Sequence, residues 1–304
     1  MWVIIRQVDA ATIVAICIFI LGFIITGIIN KANKRVELKL YKQLIISWTE
    51  STQGSIDRFI SRLNTFAQAV SANESLNIAK YEYNLITFQR LNSLPIEKIA
   101  DAFILNIKIK RKNDSKDKAT KMMYSYISQI EYIEACVSKI TEEYYKSYVQ
   151  NSKDIMNEWN TNFIALKDSL THKQLHQDYD HASEREKEFY NFIEKGFVGL
   201  QIKHRNENGE IPMSLWNSRF IQPSMDSIEA NIGGDPNLLK SALFVEVSTH
   251  IAELQLSYRK YLANKGFGSV FLEMSNNMQN AENDIFESIK YFKEHRLRRI
   301  LYIK

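Results

Sequence analysis

The sequence predicts an all-α protein, in which a single N-terminal transmembrane helix is followed by long antiparallel helical bundles. One run of 20 residues, Ala10–Ile29, carries no charge. Downstream, apolar residues recur every three or four positions over long stretches, which is the pattern of helices with one buried face. Four prolines and ten glycines in 304 residues are too few turn residues for a many-stranded β fold.

The run Ala10–Ile29 has the length of a membrane span. The hydrocarbon core of a bilayer is about 30 Å thick and is crossed by roughly 20 apolar residues in a helix. A helix also satisfies its own backbone groups in lipid. A cleaved signal peptide and a buried core helix are the alternatives. The uncleaved anchor is favoured because the run exceeds the apolar core of about 7–15 residues in a signal peptide, and no small-residue cleavage pattern follows it.

Charged residues around the run predict its orientation. Arg6 is the only basic side chain before it, whereas Lys31, Lys34, Arg35 and Lys39 follow it. The positive-inside rule therefore predicts an outside N-terminus and a cytoplasmic C-terminal region. No second apolar run of about 18 residues follows, so we expect a single-pass protein of the cell membrane. We expect the four basic residues to contact the membrane surface.

Bulk composition favours a folded domain without a recognisable catalytic centre. The chain is 45% hydrophobic and 12% aromatic, which is enough for a core, and its net charge is +4. Cys17 and Cys136 cannot easily meet, so no disulfide is expected. The chain contains no GxxxxGK[ST], GxGxxG or CxxC motif. We therefore expect no enzyme activity and no cofactor.

Residues 31–170 are predicted to form a membrane-proximal bundle. A helix over Lys31–Val70 is expected, and a capping box at Ser71–Glu74 predicts a second helix carrying Ile78, Tyr81, Leu85 and Phe88 on one face. A short helix is predicted over Pro95–Ile107. A longer helix is predicted to begin at Ala119. Its apolar pattern is interrupted at Ser147–Asp154, so one continuous helix with a local shift is an alternative to two helices. Its heptad spacing suits a coiled coil or a bundle core, and its aromatic content favours the bundle.

Residues 183–304 are predicted to form a C-terminal bundle. Ser183–Glu186 has the form of a capping box that opens a helix through about His204. A turn at Asn206–Gly209 and a helix over Pro212–Asn231, interrupted at Pro223, are expected next. Asp235 and Pro236 predict the start of a long helix that ends at Gly266 and Gly268. Its buried stripe is predicted to be Leu239, Leu243, Val247, Ile251, Leu254, Tyr258 and Tyr261, and a last helix could reach the C-terminus.

The polar segment 171–182 is predicted to link the two bundles. It holds His172, His176 and His181. Two histidines four apart share a helix face and could bind zinc, but the HExxH glutamate is absent. A solvated connector is favoured over a metal site. His250, beside a predicted stripe, is interpreted as a hydrogen-bonded histidine rather than a catalytic base.

Two basic segments have alternative interpretations. Residues 108–121 could contact anionic lipid or could be a solvated loop, and the loop is favoured. The C-terminal tail, with Arg296, Arg298 and Arg299, could touch the membrane or could simply complement a helix C-terminus. Nucleic acid is a disfavoured partner, because aromatic residues do not interleave with the charges of 108–121.

Together these observations predict a membrane-anchored scaffold or sensor whose partners are the lipid bilayer and either another protein or further copies of the chain. The alternative is a membrane-bound effector of a bacterial stress or antiphage system that acts by oligomerising in the bilayer. The first is favoured because the sequence predicts a real core but no catalytic set.

Overall fold

The structure, a computed structural model, describes residues 10–83, 86, 95–104, 113–175, 177–203 and 210–294. Helices make up 91% of the residues described, and there are no strands among them. The all-α prediction is therefore confirmed. The α-helices are α1 (Ala10–Ala72), α2 (Ile96–Ile104), α3 (Asn113–Ser138), α4 (Tyr145–Thr171), α5 (Gln177–Asp180), α6 (Glu184–Lys203), α7 (Met213–Trp216), α8 (Gln222–Gly234), α9 (Ala242–Lys265) and α10 (Phe267–Glu294).

Four shorter helical segments join these helices. Two are π-helical, Lys139–Tyr144 between α3 and α4 and Asn217–Ile221 between α7 and α8. Two are 3₁₀ turns, Lys173–Leu175 after α4 and Pro236–Lys240 before α9. Each π segment continues directly into the α-helices on both sides, so the chain keeps its helical backbone through it.

Contacts divide the chain into two compact units. The first consists of Met1–Asp57, Leu85–Glu134 and Gln279–Lys304, and the second of Arg58–Asn84 and Ala135–Met278. Each unit is built from segments that are distant in sequence. The polar segment 171–182 lies within the second unit, which differs from the predicted division into sequential halves.

The core of the first unit joins α1, α2, α3 and α10. The Phe103 ring stacks on Phe292 with centroids 3.8 Å apart and lies 5.5 Å from the Tyr126 ring. The Tyr126 hydroxyl is 2.7 Å from Thr49 Oγ1, so these two buried hydroxyl groups satisfy each other. Ile45, Ile56, Ile133 and Ile285 are buried around this centre.

The core of the second unit is rich in aromatic side chains. Trp216 contacts Trp159, Phe163, Phe197 and Phe220 at centroid distances of 5.3–6.1 Å. Three of these four pairs are edge-on, an arrangement that is favourable beyond the area that the rings bury. α9 lies against α4 along this core, with Leu243, Val247, Ile251 and Leu254 buried as the stripe predicts. Leu239 is 55% exposed, so its place in the stripe was wrong.

The predicted helix after the capping box at Ser71–Glu74 does not form. Residues 73–83 have no helical structure. Asn73 Oδ1 instead accepts hydrogen bonds from the backbone N–H and the hydroxyl of Ser75, which fixes a turn there. Tyr81 is nevertheless buried, and its ring lies 4.9 Å from that of Phe66. Leu85 and Phe88 lie outside the described residues.

The start of the long C-terminal helix was also predicted one turn early. Asp235 accepts a hydrogen bond from the Asn237 N–H, but the helix that it caps is the 3₁₀ turn. Ser241 caps α9 by accepting a bond from Phe244 N–H at 3.3 Å. At Pro223 the irregular backbone lies before the proline rather than at it. A wider π turn accommodates a residue that has no N–H and clashes with the preceding turn.

Other local predictions stand. Ser183 Oγ accepts a bond from the Glu186 N–H at 3.2 Å and opens α6. The short helix α2 lies within the predicted Pro95–Ile107. The predicted turn Asn206–Gly209 and the end of the last helix beyond Glu294 lie outside the described residues.

Candidate functional site: the apolar helix and its basic flank

The first part of α1 exposes its apolar side chains on every side. All side chains from Val14 to Asn30 are exposed, and Phe19 and Phe23 keep 75% and 76% of their surface. An 18-residue window of this helix has a mean hydropathy of 2.2, and none of that window is buried. Soluble monomers rarely expose a continuous apolar surface of this size. The helix is therefore long and apolar enough to span a membrane.

The backbone of this segment suits lipid. An α-helix pairs its own N–H and C=O groups, which have no other partner in hydrocarbon. The Thr26 hydroxyl donates to the Gly22 carbonyl at 2.8 Å, so this polar group is satisfied inside the helix. Gly22 and Gly27 have open space around them, so neither is required by a close contact within the described chain.

A basic flank, defined as Lys31, Lys34, Arg35 and Lys39, lies within α1 directly after the apolar run. All four side chains are exposed. With a rise of about 1.5 Å per residue, the first three lie within about 9 Å of Ile29 along the helix axis, and Lys39 lies about 15 Å from it. This places the first three at the depth of the lipid head groups when the apolar run lies in the hydrocarbon. Lys34 Nζ also lies 3.4 Å from Asp101 Oδ2 on α2.

Packing of α1 begins within this flank. Leu38 is 6% exposed and Ile45 is fully buried. Lys98 on α2 donates to Glu37 at 2.5 Å, and the Lys42 ammonium lies 4.4 Å from the centre of the Phe292 ring. Burial lowers the pKa of Lys42. The surface of α1 thus changes within about three turns. Up to Ile29 it is apolar and exposed on all sides, and from Leu38 onwards it has one buried face and one exposed face.

The other predicted basic contacts are only partly described. Arg296, Arg298 and Arg299 lie outside the described residues, as do residues 108–112. The described remainder of the 108–121 segment belongs to α3, which begins at Asn113, so the loop interpretation was wrong for this part. Lys118 lies 5.4 Å from the centre of the Tyr291 ring, and Lys121 is exposed.

The histidines of 171–182 do not form a metal site in the part of the chain that is described. His172 follows the last turn of α4, where its backbone N–H donates to Asp168 O at 3.0 Å. Its Nδ1 lies 3.1 Å from the same carbonyl oxygen, so the ring is also engaged there. His181 is exposed, and His176 lies outside the described residues. Among the described residues no group of three metal-binding side chains comes together.

Lys173 contradicts the interpretation of this segment as a solvated connector. It is 5% exposed, and its ammonium donates to Glu194 Oε2 at 2.6 Å and to Asn191 Oδ1 at 3.0 Å. The Tyr179 ring lies 5.8 Å from it. The segment is therefore bound to α6 through the hydrogen bonds of Lys173. His250, in contrast, is half-buried with Nδ1 3.2 Å from Asn162 Oδ1, as expected for a hydrogen-bonded histidine.

Sequence reasoning missed a buried acid in the first unit. Glu282 on α10 is 2% exposed and accepts a hydrogen bond from Gln279 Nε2 at 2.8 Å. Burial raises its pKa to about 7, and the charge of Asp57 on α1 adds to the shift. The available signal was a glutamate at a stripe position, between Met278 and Ile285, where an apolar residue is expected.

An apolar groove lies on the second unit beside α9. It has a volume of about 260 Å³ and is open to solvent. The side chains of Met225, Ile232, Leu239 and Val245 line it, together with Ser248. Val245 is 42% exposed, so the groove continues onto the outer face of α9.

Comparison with known proteins returned no relative: no family model, no curated protein and no solved structure matches the chain.

Proposed function

We propose that the protein is a single-pass, membrane-anchored helical interaction module, a scaffold or sensor that presents its bundle surfaces to a protein partner in the cytoplasm. The observation that carries this proposal is the change of character along α1. Its first part has an apolar surface all round, the basic flank follows, and the rest of the helix is built into a packed helical core. Such a helix would connect a folded region to the bilayer without an intervening loop.

The cytoplasmic location rests on the basic flank. Lys and Arg near the end of a span are retained on the cytoplasmic side. The exposed side chains of Lys31, Arg35 and Lys39 can meet anionic head groups, with a contribution of about 1 kcal/mol for each basic residue near the surface, whereas Lys34 is paired with Asp101.

The binding role rests on exposed apolar surface. Leu239 and Val245 border the groove beside α9 and expose about half of their surface. Its walls are helices, so an amphipathic helix of a partner protein would bury these side chains in the way that one helix packs on another. Without a partner this surface stays in contact with water.

The alternative is an effector that oligomerises in the bilayer. The observation that favours it is that the described chain covers none of the apolar surface between Val14 and Ile29. This surface is therefore available to the same helix in other copies as well as to lipid.

Purification of the full chain from membranes in detergent separates the two functions. For the module, we expect a partner that is recovered with the wild type, is lost with the double variant Leu239→Glu, Val245→Glu, and is kept with the control Leu175→Glu. Leu175 is 81% exposed and is not among the residues that line the groove. A particle that contains only a fixed multiple of this chain, together with depolarisation of expressing cells, would contradict the module and support the effector.

A further inference from the structure

The face of α1 that is turned away from the core of the first unit is uncharged over nine positions between Ile18 and Ser47. With about 100° per residue, these positions lie within about 40° of one line along the helix. The buried residues Leu38, Ile45 and Thr49 lie on the opposite side. All nine positions are exposed, and we call them the outer stripe: Ile18, Gly22, Ile25, Ile29, Ala32, Val36, Leu40, Gln43 and Ser47.

The outer stripe differs from the usual outward face of a helix in water. The face opposite to a packed face normally carries charged and polar side chains. Between Lys31 and Lys42 the helix has six charged residues, and every one of them lies off the outer stripe. Val36 and Leu40 occupy the outward positions there, with 60% and 54% of their surface exposed. Apolar residues at these positions indicate a surface that packs against another helix.

Lipid can cover only the first part of the outer stripe. When the apolar run lies in the hydrocarbon, Ile29 marks its boundary. With a rise of about 1.5 Å per residue, Val36 lies about 10 Å and Leu40 about 16 Å beyond Ile29. The head-group layer is roughly 5–8 Å thick, and the usual tilt of about 20° changes these depths little. The end of the outer stripe therefore meets water or protein.

A second copy of α1 fits the whole outer stripe, because it crosses the membrane and continues beyond it as the same helix. The positive-inside rule inserts every copy in one orientation, so two copies are parallel and equal residues lie at equal depth. Gly22 has open space around it and Ala32 is also small, so the two backbones can approach closely. A stripe this narrow suits one partner helix, as in a two-stranded coiled coil.

The charges beside the outer stripe are complementary in such a pair. Arg35 and Lys39 lie about 60–100° from the centre of the stripe on one side, and Glu37 lies about 100° from it on the other side. In a parallel pair each side of one helix meets the other side of its partner, as the g and e positions of a coiled coil do. Arg35 and Lys39 of one copy are then close in height to Glu37 of the other. Glu37 is half-exposed and also accepts a hydrogen bond from Lys98 of its own chain.

We propose that two copies of the chain pair in parallel through the outer stripe of α1, in contact from the bilayer to beyond the head groups. The pairing rests on the membrane anchor of the proposed function. It depends neither on the groove beside α9 nor on a partner bound there, so it can be tested separately. In the pair, Val36 and Leu40 are removed from water and Lys39 gains an opposite charge.

Disulfide cross-linking in membranes of cells that express the full chain tests the pairing. The starting variant is Cys17→Ala with Cys136→Ala, so that each further variant contains one cysteine. Ala32→Cys, Val36→Cys and Leu40→Cys should each form a covalent dimer when the membranes are oxidised with copper phenanthroline. A disulfide requires two Cα atoms within about 7 Å of each other, which only residues at the contact of the pair can meet.

Lys31→Cys is the matched control. Lys31 is exposed and is adjacent to Ala32 in sequence, but it lies about 140° from the centre of the outer stripe. No covalent dimer is therefore expected from this variant. Equal amounts of dimer from Ala32→Cys and Lys31→Cys, absence of a dimer at all three stripe positions, or a product with another protein in place of the second copy would each overturn the pairing.

The double variant Val36→Glu, Leu40→Glu provides a second measurement. Both side chains are exposed, so we expect the fold to be kept, as circular dichroism would show. Native mass spectrometry in detergent should find two copies of the chain in each wild-type particle and one copy in each particle of this variant. One copy in the wild type, or two copies in both proteins, would overturn the pairing.

Failure of the membrane anchor would give a different result. A chain that alkaline carbonate releases from the membrane would overturn the anchor and the pairing together. A chain that stays in the membrane without cross-links specific to the outer stripe would overturn the pairing alone and leave the proposed function standing.

Discussion

Gly268, in the first turn of α10, lies at a position where the fold has no room for a side chain. A Cβ at this position would lie 2.9 Å from the carbonyl oxygen of Ala67 and would overlap the Ser71 hydroxyl, both on α1. Backbone atoms cannot move away cheaply, so this close approach of two helices requires glycine. The sequence indicated Gly268 only as a helix terminator, because the residues that it meets are distant in sequence.

Gly268→Ala is therefore expected to destabilise the protein by about 1–3 kcal/mol, the usual cost of overpacking. The matched control is Gly199→Ala in α6, where a Cβ has open space and alanine should stabilise the helix by about 0.5–1 kcal/mol. Thermal unfolding of both variants in detergent is the measurement. Equal effects of the two substitutions would show that the contact at Gly268 is not tight.

Lys173 and Glu282 show why single buried charges escaped prediction. Lys173 stands in a polar stretch, and its partners Asn191 and Glu194 lie on the next long helix. Nothing local marks it as buried. Glu282 did carry a local signal, since it interrupts an apolar stripe, but the stripe does not reveal that the charge of Asp57 on α1 raises its pKa further. Burial of a charge depends on tertiary neighbours, which spacing alone does not identify.

At the scale of elements, the π-helical segment Lys139–Tyr144 explains a break in the apolar pattern. Buried positions before it include Ile130, Ile133, Val137 and Ile140, and those after it include Tyr148, Ser152, Ile155 and Trp159. If the spacing of three and four residues is continued beyond Ile140, the expected buried positions fall one residue before the positions that are buried in the second series. A π turn contains one residue more than an α turn, so it keeps both stripes buried. The sequence predicted a shift but placed it at Ser147–Asp154.

Deleting one residue tests this role of the π segment. Removal of the exposed Glu142 should convert the segment into regular α-helix and keep both stripes buried, with little change in the unfolding temperature. Removal of the exposed Asn157 in α4 would instead rotate the helix beyond it by about 100° and expose buried side chains. We expect the second deletion to unfold the second unit, as circular dichroism would show. Equal tolerance of both deletions would contradict the role assigned to the π turn.

Caps and stripes were the most predictable elements. Ser183 caps α6 and Leu243–Leu254 line α9 as their spacing indicates. The errors fall where two signals compete. Asp235 with Pro236 is a good helix start, but the chain makes a 3₁₀ turn there and begins α9 at Ser241. Asn73 likewise binds its own local backbone instead of continuing a helix. Asp and Asn side chains can hydrogen-bond to the nearby backbone either at the start of a helix or in a local turn.

At the scale of the whole molecule, the division into units was not predictable from composition. The long helices α1, α3 and α10 each contribute to the first unit, although they are distant in sequence. An apolar stripe shows which face of a helix is buried but not which helix covers it, so sequential halves were the simplest inference. The apolar run of α1, in contrast, was predictable, because a helix that is long and apolar enough to span a membrane is recognised from its own length and composition, without knowledge of a partner helix.

The most direct test of a membrane-anchored helical protein is alkaline carbonate extraction of membranes from cells that express the full chain. We expect the wild type to remain in the membrane pellet. A variant with Ile20→Asp and Phe23→Asp should move to the supernatant, since each charge at the centre of a span costs about 2.5–3.5 kcal/mol. Release of the wild type into the supernatant to the same extent as this variant would contradict the account.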